Sequence, residues 1–222
     1  MDGHFGSDYV GDGQVMAPPR LSARHTANTR RALIRAGREL FTKKGYDATS
    51  TDEIVERSRL SKGALYHHFN SKHELFRAVF EDVEAALIQR SGAEAGDFPP
   101  AGSFAFWEES MKLFLAYLDA ASDDAAFRQI VLIDGPAVLG WELWREIQAM
   151  LAPDYMETWL QNAIDHALIA PHPVSPLAHL LVAAMNEAVM YVAHSPDPAA
   201  GRSEVAPVVR ALFEGLRLNP RG

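Results

Sequence analysis

The chain has 222 residues, of which 48% are hydrophobic and 23% charged, enough apolar material for a core and too much for wholesale disorder. It contains no cysteine, which excludes disulfides, thiolate metal sites and cysteine nucleophiles. The formal net charge of −8 is unevenly spread: Arg20 to Lys72 carry 12 Lys/Arg against 5 Asp/Glu, a net of +7, while residues 73–222 carry 9 bases against 21 acids. A basic N-terminal module on an acidic body suits nucleic acid, because Lys and Arg neutralise phosphates and release counterions. The plainer alternative is an unevenly charged surface.

The length predicts a small domain fused to a larger one. No uninterrupted apolar run of 18 residues and no signal-peptide pattern is visible, so a soluble, cytoplasmic protein without a membrane partner is expected. Residues 1–19 are acidic and glycine-rich and are expected to be a disordered tail, with Met16 as a second candidate start beside Met1.

Arg20 to Arg31 reads as a basic arm leading into a helix from about Asn28 to Lys44, which Gly45 ends as a left-handed cap. Tyr46 is expected to tuck under the bundle. Ser50 and Glu53 form a capping box that opens a helix through about Arg57. Ser58–Arg59–Leu60 is a turn, and Ser61 caps the next helix, with Leu65 and Phe69 inward. Ser71 and Glu74 make a second box before a longer helix ending near Arg90. Residues 91–102, SGAEAGDFPPAG, read as a linker.

The remainder reads as helices: Phe104–Ala121, Phe127–Ile133 broken at Asp134–Gly135–Pro136, Ala137–Leu151, Pro153–Ala170, Pro176–His194 and Arg202–Leu218. No segment alternates with period two over a convincing length. The fold class is therefore all-α: an N-terminal helix-turn-helix domain at 20–75, a connecting helix at 71–90, and a larger C-terminal helical domain at 103–218.

A helix, a tight turn and a second helix with a small-residue start is the arrangement that enters a major groove. Lys62, Gly63 and Ala64 sit where small side chains let the backbone approach base edges and Lys62 can reach a guanine or a phosphate. Tyr66 and His67 face outward, where hydroxyl and imidazole can bond phosphate oxygens. The helix N-termini at Ser50–Thr51 and Ser71–Lys72 offer free N–H groups to phosphates.

At these residues the chain resembles the TetR (TetR/AcrR) family of bacterial transcriptional regulators. The resemblance runs from Glu39 to Phe80 and rests on Gly45–Tyr46, Ala48–Thr49–Ser50, Ile54, Ser61–Lys62–Gly63, Leu65–Tyr66, His68–Phe69 and Ser71–Lys72 to Leu75. It implies a homodimer on a palindromic double-stranded DNA operator, and a C-terminal domain in which a small effector triggers release. It implies further that Ser50, Thr51, Tyr66, His67 and Lys72 touch phosphates and that Ser61, Lys62, Gly63 and Ala64 face bases. Thr49 completes the expected DNA-binding set with Arg59, which stands where the family commonly has glycine; either Arg59 accepts a left-handed backbone and adds a phosphate contact, or the turn differs.

Other residues carry competing readings. Adjacent on a helix, His67 and His68 point about 100° apart and have no carboxylate at ligand spacing, so no metal is expected. His68 reads as packed and His67 as exposed. No nucleophile–base constellation, P-loop or metal set points to an enzyme, and no cofactor is implied. Trp107, Met111, Phe114, Phe127, Trp141, Trp144, Tyr155 and Trp159 are either core or the lining of a pocket for an apolar or aromatic effector. Glu187 is a further lining candidate, or a bond in a dimer seam. Asp134 and Asn186 are polar among apolar neighbours and need partners if buried. Ala163, Ala167, Leu181, Ala184, Ala188 and Tyr191, on the Pro153–Ala170 and Pro176–His194 helices, are the candidate dimer seam; the alternative is that these helices close the monomer core. The expected function is a ligand-responsive repressor, with a constitutive DNA-binding dimer or an all-helical enzyme as alternatives.

Overall fold

A computed structural model describes residues 19–91, 105–151 and 153–218. The expected tail apart from Pro19, the alternative start at Met16 and the linker apart from Ser91 fall outside these residues. Among the described residues all regular elements are helical: α1 (Pro19–Lys44), α2 (Thr51–Ser58), α3 (Lys62–His68), α4 (Lys72–Ser91), α5 (Ala105–Asp123), a π-helical segment (Phe127–Asp134), α6 (Gly135–Leu139), α7 (Trp141–Leu151), α8 (Pro153–Asp165), α9 (Val174–His194) and α10 (Pro198–Glu214). A lone antiparallel bridge joins Ile169 to Arg217.

The N-terminal caps follow the sequence. Gly45 takes φ +78°, and its N–H donates to the Phe41 carbonyl at 2.8 Å. The Ser50 hydroxyl accepts the Glu53 N–H, while the Glu53 carboxylate accepts the Ser50 N–H. A bond from the Lys44 ammonium, then the Ser50 N–H, hold the Glu53 carboxyl down at about 2. Only half of the second box forms: Ser71 Oγ accepts the Glu74 N–H, but the Glu74 carboxylate turns to the Asn70 N–H.

Several boundaries differ from the sequence reading. α1 begins at Pro19 rather than Asn28, because the arm has nothing that stops a helix and proline fits the first turn. Asp134–Gly135–Pro136 is no break: the π-helical segment runs straight into α6, with Pro136 in its first turn, and the chain turns at Gly140, φ +79°. α8 stops at Asp165, and Ala167 takes φ +52° in the turn behind it. α10 starts at Pro198, because Asp197 caps it through the N–H groups of Ala199 and Ala200.

α4 joins the two parts of the molecule. Its Leu75, Phe76, Val79, Phe80, Val83 and Leu87 are fully buried, shared between α1 on one side and α5, the π-helical segment, α6 and α7 on the other. α9 lies against α5, α8 and α10. By length and composition it is also apolar enough to cross a membrane, with a mean hydropathy of 1.3, although only a third of that stretch is buried. The crowding around α4 is greatest at Gly135. A methyl group there would stand 2.8 Å from Trp144 Cδ1 and 2.9 Å from Phe80 Cε2; Phe80 is fully buried and the Trp144 N–H is bonded to the Val131 carbonyl. We expect Gly135→Ala to cost about 1–3 kcal/mol, the usual cost of overpacking, read as a lowered denaturant midpoint. An unchanged midpoint would show that α6 can move away from α4 freely.

Candidate nucleic-acid interface

α2 and α3 meet through a turn whose central residue, Arg59, has φ 58° and ψ 34°. The left-handed conformation is therefore accepted by a non-glycine residue, and the Arg59 N–H closes the helix onto the Glu56 and Val55 carbonyls. α3 is capped by Ser61, whose Oγ accepts the Ala64 N–H at 3.1 Å. Leu65 and Phe69 pin its inner side to α1 and α2 and are buried. Arg30 of α1 lies over the Phe69 ring, 5.2 Å from its centroid.

Ser61, Lys62, Gly63, Tyr66 and His67 are exposed along the outer side of α3, with Ala64 half-buried behind them. Nothing but Ser61 Oγ, at 3.7 Å, would meet a methyl group on Gly63, so no packing inside the protein requires glycine there. The Lys62 ammonium pairs with Asp52 at 2.7 Å, a contact that raises its pKa and ties α3 to the first turn of α2. Ser50 and Arg59, at the two ends of α2, are exposed, and Thr51 is half-buried. Burial, with the charges of His67 and Arg30 behind it, lowers the pKa of the half-buried His68.

Two residues expected at the DNA stand elsewhere. Thr49 is 1% exposed and its hydroxyl donates to the Gly45 carbonyl, so its side chain holds the α1–α2 connection and faces no groove. Lys72 is half-buried. Its ammonium donates to the carbonyls of Tyr46 and Thr49, both at 2.9 Å, and sits 3.9 Å over the Tyr46 ring. Sequence reasoning missed Asp124, and for Asp134 it gave the need of a partner but not which one. Asp124, 7% exposed, caps the π-helical segment through the Ala126 and Phe127 N–H groups and pairs with Arg90 of α4 and, at 3.6 Å, with Arg38 of α1. Asp134 accepts the Tyr46 N–H at 2.8 Å and the Gln129 amide at 3.1 Å, so its partners lie within the chain. Asp124 had a local signal, an acid three residues before the helical run at Phe127; Asp134 was marked only as polar among apolar neighbours, with nothing local to name its partner.

In the C-terminal part, Trp107, Met111, Phe114, Phe127 and Trp159 are buried, and Trp144 and Tyr155 half-buried. Trp159 is ringed by Phe106, Trp107, Phe114 and Phe213 at centroid distances of 5.2–6.2 Å. Its indole N–H meets no acceptor among the described residues. The Trp107 N–H donates to Glu214 and the Trp144 N–H to the Val131 carbonyl. Trp141 is 60% exposed and Glu187 is exposed on α9, so neither lines an enclosed core.

The expected dimer seam changes as well. Ala163, Leu181 and Ala188 are buried within the monomer, where α8 packs on α9, and Ala167 stands in the turn after α8. Ala184 is half-buried, and of this set only Tyr191 offers a large exposed apolar surface. The outward positions of α8, such as Thr158, Gln161 and Asp165, are polar. Of the large exposed apolar residues of this part, Leu180, Tyr191, Val208 and Leu212 lie on α9 and α10, while Ile133, Trp141 and Leu218 lie elsewhere.

A capped helix-turn-helix with an exposed, small-residue recognition helix on an all-helical body defines a DNA-binding regulator. The comparisons agree. Residues 33–79 match the family described as bacterial regulatory proteins, tetR family, and residues 107–216 match the tetracyclin repressor-like C-terminal domain. The chain belongs to the TetR family. Among curated relatives, the transposon Tn10 TetC protein of Escherichia coli is 29% identical over 51% of this chain and 54% of its own length. The regulator QacR of Staphylococcus aureus is 43% identical over 26% of this chain and 31% of its own length. The match thus spans about half or less of these relatives. A TetR-family regulator from Pectobacterium atrosepticum has the same fold, with a TM-score of 0.70 and 29% identity, covering 89% of this chain and 98% of that one.

Arg59 gives a direct test of the turn. A left-handed side chain costs roughly 1–2 kcal/mol, and glycine would return about 0.4–1 kcal/mol of that as chain entropy. Arg59→Gly should therefore raise the stability of the protein by up to about 1 kcal/mol in urea denaturation. A lowered midpoint would mean that the Arg59 side chain makes a compensating contact in the free protein.

Proposed function

We propose that this chain is a homodimeric repressor that binds a palindromic operator through α3 and is released by a small apolar or aromatic effector. The observation that carries the DNA part is the outer side of α3. Lys62, Gly63, Tyr66 and His67 are exposed over the buried Leu65 and Phe69, and Asp52 in the first turn of α2 holds Lys62. In this reading Ser50, Thr51, Arg59, Tyr66 and His67 contact phosphates, while Ser61, Lys62, Gly63 and Ala64 approach bases. DNA-binding residues fall in 20–75, α4 connects, and 103–218 holds the effector and the partner subunit. Acting on DNA places the protein at the bacterial nucleoid.

The effector part is supported by the aromatic cluster around Trp159 and its unmatched indole N–H, which a ligand with one hydrogen-bond acceptor would satisfy. The mutual packing of the same rings favours a second reading, a constitutive dimer with a filled core. Recovery of bound genomic DNA by pulldown and sequencing tests the function. A shared palindrome with half-sites about one helical turn, 34–36 Å, apart is expected, and Tyr66→Ala should lose it while staying dimeric. Binding without any common site would leave only a nonspecific DNA-binding protein.

Dimerisation is assigned to α9 and α10. Leu180 and Val208 are 69% and 57% exposed, and Tyr191 and Leu212 continue the strip. The Tyr191 hydroxyl donates to Glu204 at 2.7 Å, lacing the two helices into one face. Paired with its two-fold copy, that face forms a four-helix seam. Leu180→Glu combined with Leu212→Glu should give a monomer in sedimentation velocity and weaken operator binding by at least about tenfold, since the paired half-sites are lost. A persistent dimer would move the seam elsewhere.

A further inference from the structure

The connection between α1 and α2, residues 45–49, is held from two sides by residues distant in sequence. On one side the Asp134 carboxylate, at the end of the π-helical segment, accepts the Tyr46 N–H at 2.8 Å. On the other, the Lys72 ammonium donates to the Tyr46 and Thr49 carbonyls at 2.9 Å each. The Tyr46 ring fills the space between, edge-on to Phe76 at 5.0 Å and 5.8 Å from Phe41. Gln129 donates to the second Asp134 oxygen and so fixes the carboxylate plane. Gly45 lies beside this pair: a methyl group there would touch the Gln129 amide at 3.4 Å and Asp134 at 3.6 Å, ordinary contact distances, so its φ of +78° and not crowding calls for glycine.

We infer that Asp134 and Lys72 are positioning residues for DNA recognition: together they clamp residues 45–49, so that the C-terminal domain sets where the N-terminus of α2 stands. Ser50 follows this clamped stretch directly and caps α2, and Asp52 of α2 holds Lys62 of α3. A displacement at Tyr46 therefore reaches both the phosphate-facing N–H groups and the base-facing lysine. A hydrogen bond to a charged acceptor in a half-buried place is strong enough to hold such a segment. Asp134 is also an anion on the DNA-binding side of the body, where its charge alone would weaken phosphate binding. Its position gains function only as an acceptor.

This inference rests on the DNA-binding reading above, and the ionic-strength dependence of operator binding separates the two. A residue that touches phosphate changes the salt slope by about one when removed, while a positioning residue changes affinity at constant slope. In the full-length protein, Asp134→Ala should weaken operator binding at least tenfold with the slope unchanged. Asp134→Asn, which keeps an acceptor oxygen, should stay within about threefold of the parent. Exchange of the Tyr46 amide hydrogen should quicken in Asp134→Ala alone. Lys72→Met should likewise lower affinity at constant slope, and it serves where Asp134→Ala does not fold. Full affinity in Asp134→Ala, tighter binding by both Asp134 variants, or a slope lowered by one in Lys72→Met would each overturn the clamp. Absence of specific binding by the parent protein would overturn the function itself.

Discussion

The rest of the structure depends on α4 being buried on both sides. Most helices in a small protein bury one stripe and wet the other. α4 instead buries Leu75, Phe76, Val79, Phe80, Val83 and Leu87, facing α1 on one side and α5, the π-helical segment, α6 and α7 on the other. At about 1.5–3 kcal/mol for each fully buried large side chain, these six residues represent roughly 9–18 kcal/mol of transfer free energy. That is comparable to the whole net stability of a typical domain. The DNA-binding unit and the body therefore share one core, and the position of one is a mechanical consequence of packing in the other.

Polar contacts complete what the shared core begins. Two carboxylates flanking the π-helical segment, Asp124 ahead of it and Asp134 at its end, both reach the DNA-binding unit: Asp124 through Arg38 and Asp134 through Tyr46. Asp124 is almost fully buried, so its charge is tolerable only with two helix N–H groups and two guanidinium groups around it. Breaking such a set costs far more than its net contribution to folding, since one charge is then left without a partner. A π-helix is a rare geometry, found mostly at functional sites, and here Asp124 before it meets Arg38 of α1 while Asp134 at its end meets Tyr46 in the α1–α2 connection.

The recognition surface is prepared in the same manner. α3 has only seven residues and would not be helical alone. It holds its shape because Leu65 and Phe69 are fixed beneath it and Ser61 caps it. Around it, Lys62–Asp52, Lys44–Glu53 and Arg57–Glu39 pair the basic residues with acids of α1 and α2. Such exposed pairs add little stability. Their effect is to hold long side chains in place on α1, α2 and α3.

The sequence by itself determined the all-helical class, the caps at Gly45, Ser50 and Ser61, the inward Leu65 and Phe69, and the outward Tyr66 and His67. These are local properties: glycine at a left-handed position, a serine three residues before a glutamate, apolar residues at helical spacing. Only the tertiary structure decided that Lys72 turns inward, that Thr49 is buried, that Trp141 and Glu187 face solvent, and that the exposed apolar strip lies on α9 and α10 rather than α8. Apolar periodicity marks which side of a helix is buried, not whether its own chain or a partner covers it. A carboxylate such as Asp134 shows nothing in sequence of an acceptor bond to a backbone N–H 88 positions away. Long-range pairing of that kind is fixed by how α4 brings the two parts of the chain together.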